Sequence, residues 1–264
     1  MNKSFWKNKR VLITGHTGFK GSWLYFLLKL YGVDTYGISL KPPKKSLFNL
    51  LNKNEKNKSF FCDLKNFKKI NSIIKKTKPE IIFHFAAQSL VGKSYKFYEE
   101  TYLTNFIGTL NILKTVKYNK SIKTCIITTT DKVYENLEDK KIYSENDYLA
   151  GKNPYSGSKV AKEHLIFSFA KSYLNKKNII VVRSGNVIGG DFTESRLIPD
   201  MINSFQKKKK FFVRNENHTR PWQHIYDVLK TYIKLVEKIH KMKKYYGVFN
   251  VSFHNKRQLT VKEI

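Results

Sequence analysis

Short apolar runs alternate with amphipathic stretches along most of this chain. The strand candidates are Arg10–Thr14, Asp34–Ser39, Ser59–Cys62, Ile81–Phe85, Lys123–Thr129 and Ile179–Ser184. Helical patterns fall between them at Lys20–Tyr31, Phe67–Thr77 and Tyr98–Tyr118, and from just after Pro154 to Tyr173. Strands that alternate with helices predict βαβ units on a parallel sheet. Lys123–Thr129 is rich in β-branched and apolar residues, as a strand covered on both faces should be. Beyond Asn186 the pattern becomes less regular, with helices expected near Leu197–Gln206 and Tyr226–Ile239.

The first strand runs into Gly15-His16-Thr17-Gly18-Phe19-Lys20-Gly21, a GxxGxxG spacing. In a dinucleotide site one glycine makes the tight turn, another admits the pyrophosphate, and the last lets the helix pack on the strand. The helix N-terminus then meets the phosphate charge. Glycine turns after strands are common, and position gives this one its weight: first strand, first helix, βα units following. The expected architecture is therefore α/β, a Rossmann-type doubly wound parallel sheet. Residues 1–185 form its dinucleotide-binding domain. Residues 186–264 form a small partial lobe for the substrate, with elements of the two free to interleave. The usual ribose clamp is an acid at the end of strand two. Here that end reads Gly37-Ile38-Ser39-Leu40-Lys41, with no acid, and Lys41 could favour a 2′-phosphate. NAD and NADP both stay open on this ground. Asp63, after strand three, is a candidate for the adenine edge or a helix cap.

Tyr155 and Lys159 stand in a YxxxK spacing, and residues i and i+4 share a helix face. An ammonium ~5 Å away, at an effective dielectric of ~20, favours the phenolate by on the order of 3 kcal/mol. That is about two pKa units, enough to bring a tyrosine toward neutrality. Such a phenol can take a proton from a substrate hydroxyl. The fifth strand ends in Thr128-Thr129-Thr130-Asp131-Lys132, at the sheet edge where open α/β folds bind ligands. Thr130 can bond a reacting hydroxyl, and Asp131 and Lys132 form an acid/base pair.

Lys and Arg number 50 against 20 Asp and Glu, a net charge of +30 over 264 residues. The lysines are spread along the chain, in Lys41–Lys45, Lys75–Lys78, Lys207–Lys210 and Lys241–Lys244. Distribution of this kind points to solvated surface and away from a nucleic-acid groove, which would show steeply salt-dependent binding. Cys62 and Cys125 sit in apolar runs without metal spacing, so no metal site is expected. No export signal and no apolar run of about 18 residues is visible. A soluble, cytoplasmic protein without membrane or nucleic-acid partners is expected.

Several separate segments together resemble the extended short-chain dehydrogenases/reductases that modify nucleotide sugars, the NAD-dependent epimerase/dehydratase family. Within it, they are similar to the CDP-glucose 4,6-dehydratases. The segments are GHTGFKGSWL at 15–24, HFAAQSLV at 84–91, TYLTNFIGT at 101–109 and TDKVYEN at 130–136. NPYSGSK at 153–159, RSGNVIGG at 183–190, RLIPD at 196–200 and RPWQH at 220–224 follow, and Phe5-Trp6 before strand one and KPP then SLF at 41–48 complete the set. His16, Lys20 and Lys132 mark this branch; the related dTDP-glucose enzymes carry Glu in place of Lys132.

The resemblance implies NAD as cofactor, a nucleotide-sugar substrate and a homodimer. It implies that Gly15, His16, Gly18, Phe19, Gly21, Asp63, Leu64, Ala86, Ala87 and Gln88 hold the dinucleotide with Tyr155 and Lys159. It implies that Thr130, Asp131, Lys132, Tyr155 and Lys159 are catalytic, and that Asn186, Arg196, Arg214, Arg220 and His224 face the nucleotide sugar. Trp222 is expected in the core. The implied product feeds deoxysugar pathways, typically for surface polysaccharides such as O-antigen. Two departures stand out. GGDFTES at 189–195 is one residue shorter than the family's GGGDW pattern, with Phe192 in place of Trp. The chain stops at Ile264 as a helix begins at Thr260, so the lobe is expected to be truncated. The alternatives are a UDP-hexose 4-epimerase or another dehydratase, and an inactive dinucleotide-binding homologue.

Overall fold

The computed structural model describes residues 1–52, 56–135, 141–213, 215–252 and 259–264. Seven strands form one parallel sheet: β1 (Arg10–Thr14), β2 (Asp34–Ser39), β3 (Ser59–Phe61), β4 (Ile81–His84), β5 (Thr124–Thr128), β6 (Asn178–Ser184) and β7 (Tyr245–Val251). Their order across the sheet is β7-β6-β5-β4-β1-β2-β3. The main helices are α1 (Phe19–Leu30), α2 (Phe67–Thr77), α3 (Gly108–Tyr118), α4 (Pro154–Tyr173), α5 (Leu197–Gln206) and α6 (Ile225–Ile239). Strand order reverses direction between β1 and β4, and such a switch point opens a crevice at the strands' C-terminal ends.

The near-continuous apolar strands follow from cover on both faces. Val11 and Ile13 join one core with Leu24 and Leu28 of α1 and Leu229, Tyr232 and Val236 of α6. Leu12 joins the other, with Ile70 and Ile74 of α2, Ile112 and Val116 of α3 and Ile166 of α4. Successive strand residues point to opposite faces, so one apolar run supplies both layers. α4 begins on a capping box, with Asn153 and Ser156 bonding each other's backbone N–H and Pro154 at the first position.

The helical stretch expected over 98–118 is continuous, but Leu103–Ile107 winds as a π turn. Single π turns often sit at functional sites. This one holds Asn105, which donates to Ser158 Oγ at 2.9 Å and to Gln88 O at 3.1 Å and accepts from Gln88 N at 2.9 Å. The loop after β4 is thereby tied to α4.

Two features depart from expectation. β7 was not anticipated; it pairs parallel with β6, from Tyr245 against Asn178 to Val251 against Ser184. The sheet thus takes a strand from beyond residue 185. At Thr260, where a helix start is expected, Leu259–Thr260 instead pairs antiparallel with Thr219–Arg220. Thr260 does carry helix-start chemistry, since its N–H donates to Glu263 Oε2 at 2.8 Å and its Oγ1 accepts from Glu263 N at 3.3 Å.

Lys162 on α4 is wholly buried, and its Nζ has no hydrogen-bond partner. Burial drives its pKa well below the ordinary lysine range, and the Lys159 charge pushes the same way. Below that ordinary range the unfolded chain holds a proton that the folded chain releases. Stability therefore climbs as pH rises. Lys162→Met is expected to stabilise the fold by about 1–3 kcal/mol, the cost of an unpaired buried donor. The gain in urea denaturation should be larger near pH 6 than near pH 9. An equal gain at both would mean that the amine stays charged in the fold.

Candidate functional site

A cleft of about 520 Å³ lies across the C-terminal ends of β1, β4, β5 and β6, with the start of α1 at its floor. Gly15 forms the turn out of β1 at φ +74°, and a Cβ there would stand 2.7 Å from Ala86 N. A Cβ on Gly21 would stand 2.0 Å from Gly15 O, so only glycine lets α1 pack this close to the turn. Gly18 caps α1 without a side-chain bond, and no acid occupies the helix's first turn. The result is a cradle of backbone N–H groups suited to a pyrophosphate. Gly15, Gly18, Phe19 and Gly21 line the cleft together with Asp63, Leu64, Ala86 and Ala87.

Two expected cofactor residues lie outside the lining. The His16 ring turns behind the loop into the core, into the space that Gly37 of β2 leaves open, and packs edge-on to Phe48 at 5.0 Å. Burial lowers its pKa to about 4. Gln88 braces the loop after β4, donating to Thr101 Oγ1 at 3.0 Å and Leu90 O at 3.1 Å.

The five expected catalytic residues come together on the opposite wall of the cleft. Thr130 is buried and donates to Asp131 Oδ1 at 3.1 Å. Lys132 Nζ lies 3.9 Å from the same oxygen. Lys159 Nζ stands 5.6 Å from the centre of the Tyr155 ring, and Tyr155 is 8% exposed. The acidity expected of Tyr155 from its lysine is not found in the protein alone. Burial pushes the phenol up to about 12; Asp131 adds to this, and Thr130 and Arg196 oppose it. Lys159 is itself lowered to about 8 by burial, with Glu163 opposing.

Of the expected substrate residues, Asn186 and Arg196 line the cleft. Arg196 Nη2 donates to Ser89 Oγ at 3.0 Å, and its Nε stands 3.9 Å from Asp191 Oδ2. Arg220 turns to Thr219 O at 2.8 Å and His218 Nδ1 at 3.2 Å, away from the lining. His224 caps α6, accepting from Tyr226 N. Arg214 lies outside the described residues. Trp222 lines the cleft half-buried, where core was expected, with Nε1 donating to Leu259 O at 3.2 Å. From the shortened stretch, Gly189, Asp191 and Ser195 border the cleft, while Phe192 is exposed under Lys45.

Lys20, a marker of the branch in the sequence, has a place in the site that the motif did not assign it. It lines the cleft, and burial lowers its pKa to about 7, with Arg196 and Lys159 adding and Asp131 opposing. The signal was a cation inside a glycine loop, where an apolar residue would serve packing equally well. Among the described residues no group of His, Cys, Asp and Glu could hold a metal, and no helix is long and apolar enough to cross a membrane.

A family model described as GDP-mannose 4,6 dehydratase matches residues 12–262. The chain belongs to this family. CDP-glucose 4,6-dehydratase of Salmonella typhimurium (strain LT2) is 41% identical over 249 residues, covering 91% of this chain and 69% of that relative. Human dTDP-D-glucose 4,6-dehydratase is 29% identical, covering 87% of this chain and 66% of the relative. The Dictyostelium discoideum enzyme of the same name is 30% identical, with 87% and 56% covered. The chain therefore spans between 56% and 69% of these relatives' lengths. Among solved structures, dTDP-glucose 4,6-dehydratase of Bacillus anthracis in complex with NAD superposes with a TM-score of 0.75 at 27% identity, covering 96% of this chain and 77% of that one. The Thermotoga maritima UDP-glucose 4-epimerase shares the fold, with a TM-score of 0.77 at 23% identity, covering 96% of this chain and 79% of that one.

Proposed function

We propose that this chain is a CDP-glucose 4,6-dehydratase, a hydro-lyase that converts CDP-glucose to CDP-4-keto-6-deoxyglucose and water with NAD bound in the cleft. One observation carries this: Thr130, Asp131, Lys132, Tyr155 and Lys159 share a single cleft with the glycine turn. The likeness to the Salmonella dehydratase supports cytosine as the nucleotide base.

The cleft fits the cofactor, since the start of α1 offers N–H groups and the glycine turn leaves backbone bare beneath the pyrophosphate. When bound, the nicotinamide supplies a reversible redox partner, so the net reaction is a dehydration. Every other part falls to this chain's residues. Tyr155 accepts the proton of the sugar 4-hydroxyl, which Thr130 holds in place. Lys159 reaches the same wall and orients the ribose. Lys132 takes the C5 proton once a 4-keto group has acidified it. Asp131 in its acid form, close to Lys132 in its neutral amine form, gives its proton to the departing 6-hydroxyl, which leaves as water. Arg196 offers a forked donor to the substrate's pyrophosphate.

The same proposal includes a homodimer, supported by exposed Tyr98, Tyr102 and Leu103 ahead of α3 and Phe167 on α4. It also includes a cytoplasmic role in making deoxysugars for surface polysaccharides.

CDP-glucose deuterated at C4 tests the reaction. The expected product carries the label at C6, read by mass spectrometry and NMR. Complete lack of turnover with CDP-, dTDP- and UDP-glucose would end the dehydratase assignment.

A further inference from the structure

Lys20 is the second residue of α1, and its side chain leaves the helix for the far side of the cleft. Its ammonium stands 5.9 Å from the centre of the Tyr232 ring on α6. Tyr232 OH is hydrogen-bonded to Ser184 Oγ, at the end of β6. The side chain therefore crosses the switch point, from the β1 half of the sheet to the β6 half. Among the described residues the ammonium has no hydrogen bond and no ion pair. A ring face attracts a cation only weakly beside what a carboxylate would offer.

Charged groups face this ammonium from three other elements. Asp131 stands just after β5, Lys159 stands with Tyr155 on α4, and Arg196 lies just ahead of α5; all of them line the cleft. Arg196 and Lys159 repel the ammonium, and Asp131 attracts it. Asp131 already accepts from Thr130 and lies near Lys132. Packing gives no reason to hold an unpaired cation against two others, so its use lies with a ligand.

A dinucleotide in this fold lies across the switch point, with one nucleotide on each half of the sheet. The start of α1 takes the pyrophosphate in the middle. The half formed by β4, β5 and β6 carries Thr130, Asp131, Tyr155 and Lys159, so the reacting ring belongs there, beside the hydroxyl that Tyr155 deprotonates. Lys20 reaches from the pyrophosphate cradle into that half. The oxidised nicotinamide ring is a cation and the reduced ring is neutral. A charge near the ring tells the two apart, and a charge at the pyrophosphate does not.

We propose that Lys20 sets the redox balance of the bound dinucleotide, its ammonium disfavouring the oxidised ring over the reduced one and so favouring oxidation of the sugar at C4. This rests on the dinucleotide reading of the cleft and deepens it. Lys20 acts through the ring's charge and is a positioning residue for no part of the pyrophosphate.

Calorimetric titration of the full chain with NAD+, with NADH and with ADP-ribose, which has the pyrophosphate but no nicotinamide, tests this. At pH 6 Lys20, held near 7, is charged. There Lys20→Met should lower the ratio of the NAD+ to the NADH dissociation constant by about tenfold, since at that pH an amine of this kind sheds its proton for about that factor. ADP-ribose should bind Lys20→Met as it binds the unaltered chain. Lys20→Arg, which cannot lose its charge, should not lower the ratio. A ratio that Lys20→Met leaves unmoved overturns the proposal. So does a loss of ADP-ribose binding in step with both dinucleotides, which would make Lys20 a pyrophosphate ligand. Failure of NAD+ and NADH to bind the unaltered chain would instead sink the cleft's cofactor assignment, a result distinct from the other two.

Discussion

Tyr155→Phe is expected to lower turnover of CDP-glucose by about 10²- to 10⁴-fold, the range for loss of a positioned base. The ring would still fill its pocket, 8% exposed, so the fold should survive. The measurement is kcat at saturating substrate, beside calorimetric titration of the dinucleotide to show that the cleft remains competent. Near-normal turnover would remove Tyr155 as the base. The protein alone holds this phenol up at about 12, because burial outweighs its neighbours. Its activation therefore has to come with ligand, and in the free protein no phenolate should titrate near neutral pH in ultraviolet difference spectra.

That point marks where the sequence stops being legible. The i, i+4 spacing placed Lys159 beside Tyr155, and the pair is there. Spacing says nothing of desolvation, which lowers the lysine and raises the phenol. The sheet was readable through β6, since strands buried on both faces leave unbroken apolar runs. β7 was not, because it is an edge strand, half-buried along most of its length and opening on two tyrosines after a lysine run. His16 shows what adjacency leaves open: its backbone belongs to the glycine loop, while its ring fills the space above Gly37. Arg220 and His224 stand outside the lining for a similar reason, as a motif fixes the order of residues but not the direction of their side chains.

Loss of the Glu163 carboxylate should be the most damaging single change to the fold. Glu163 accepts from Arg183 Nη2 at 2.5 Å, from Arg183 Nε at 3.1 Å, and from Thr129 Oγ1 at 2.5 Å. Both members of the ion pair are buried, and Arg183 Nη1 also donates to Tyr134 OH at 2.6 Å. Glu163→Ala leaves a guanidinium without its counter-charge away from water. Removal of one partner of such a pair costs about 3–5 kcal/mol. Urea denaturation should show the midpoint fall by that margin. Glu163→Leu combined with Arg183→Met should recover a large part, because the cost lies in the stranded charge. Equal destabilisation in the single and double variants would refute this. Thr129 sits directly before Thr130, so the same carboxylate also steadies the strand end on which the acid and base groups stand.

The edge strand β7 is made after α5 and α6, yet it seals the flank of β6. During synthesis that flank stays a bare ladder of backbone donors and acceptors until Val251 has left the ribosome. A bare ladder recruits whatever extended chain arrives first, including another nascent copy. Chains stalled before Tyr245 should therefore be the ones that aggregate, and slow codons just ahead of this strand would lengthen the dangerous interval.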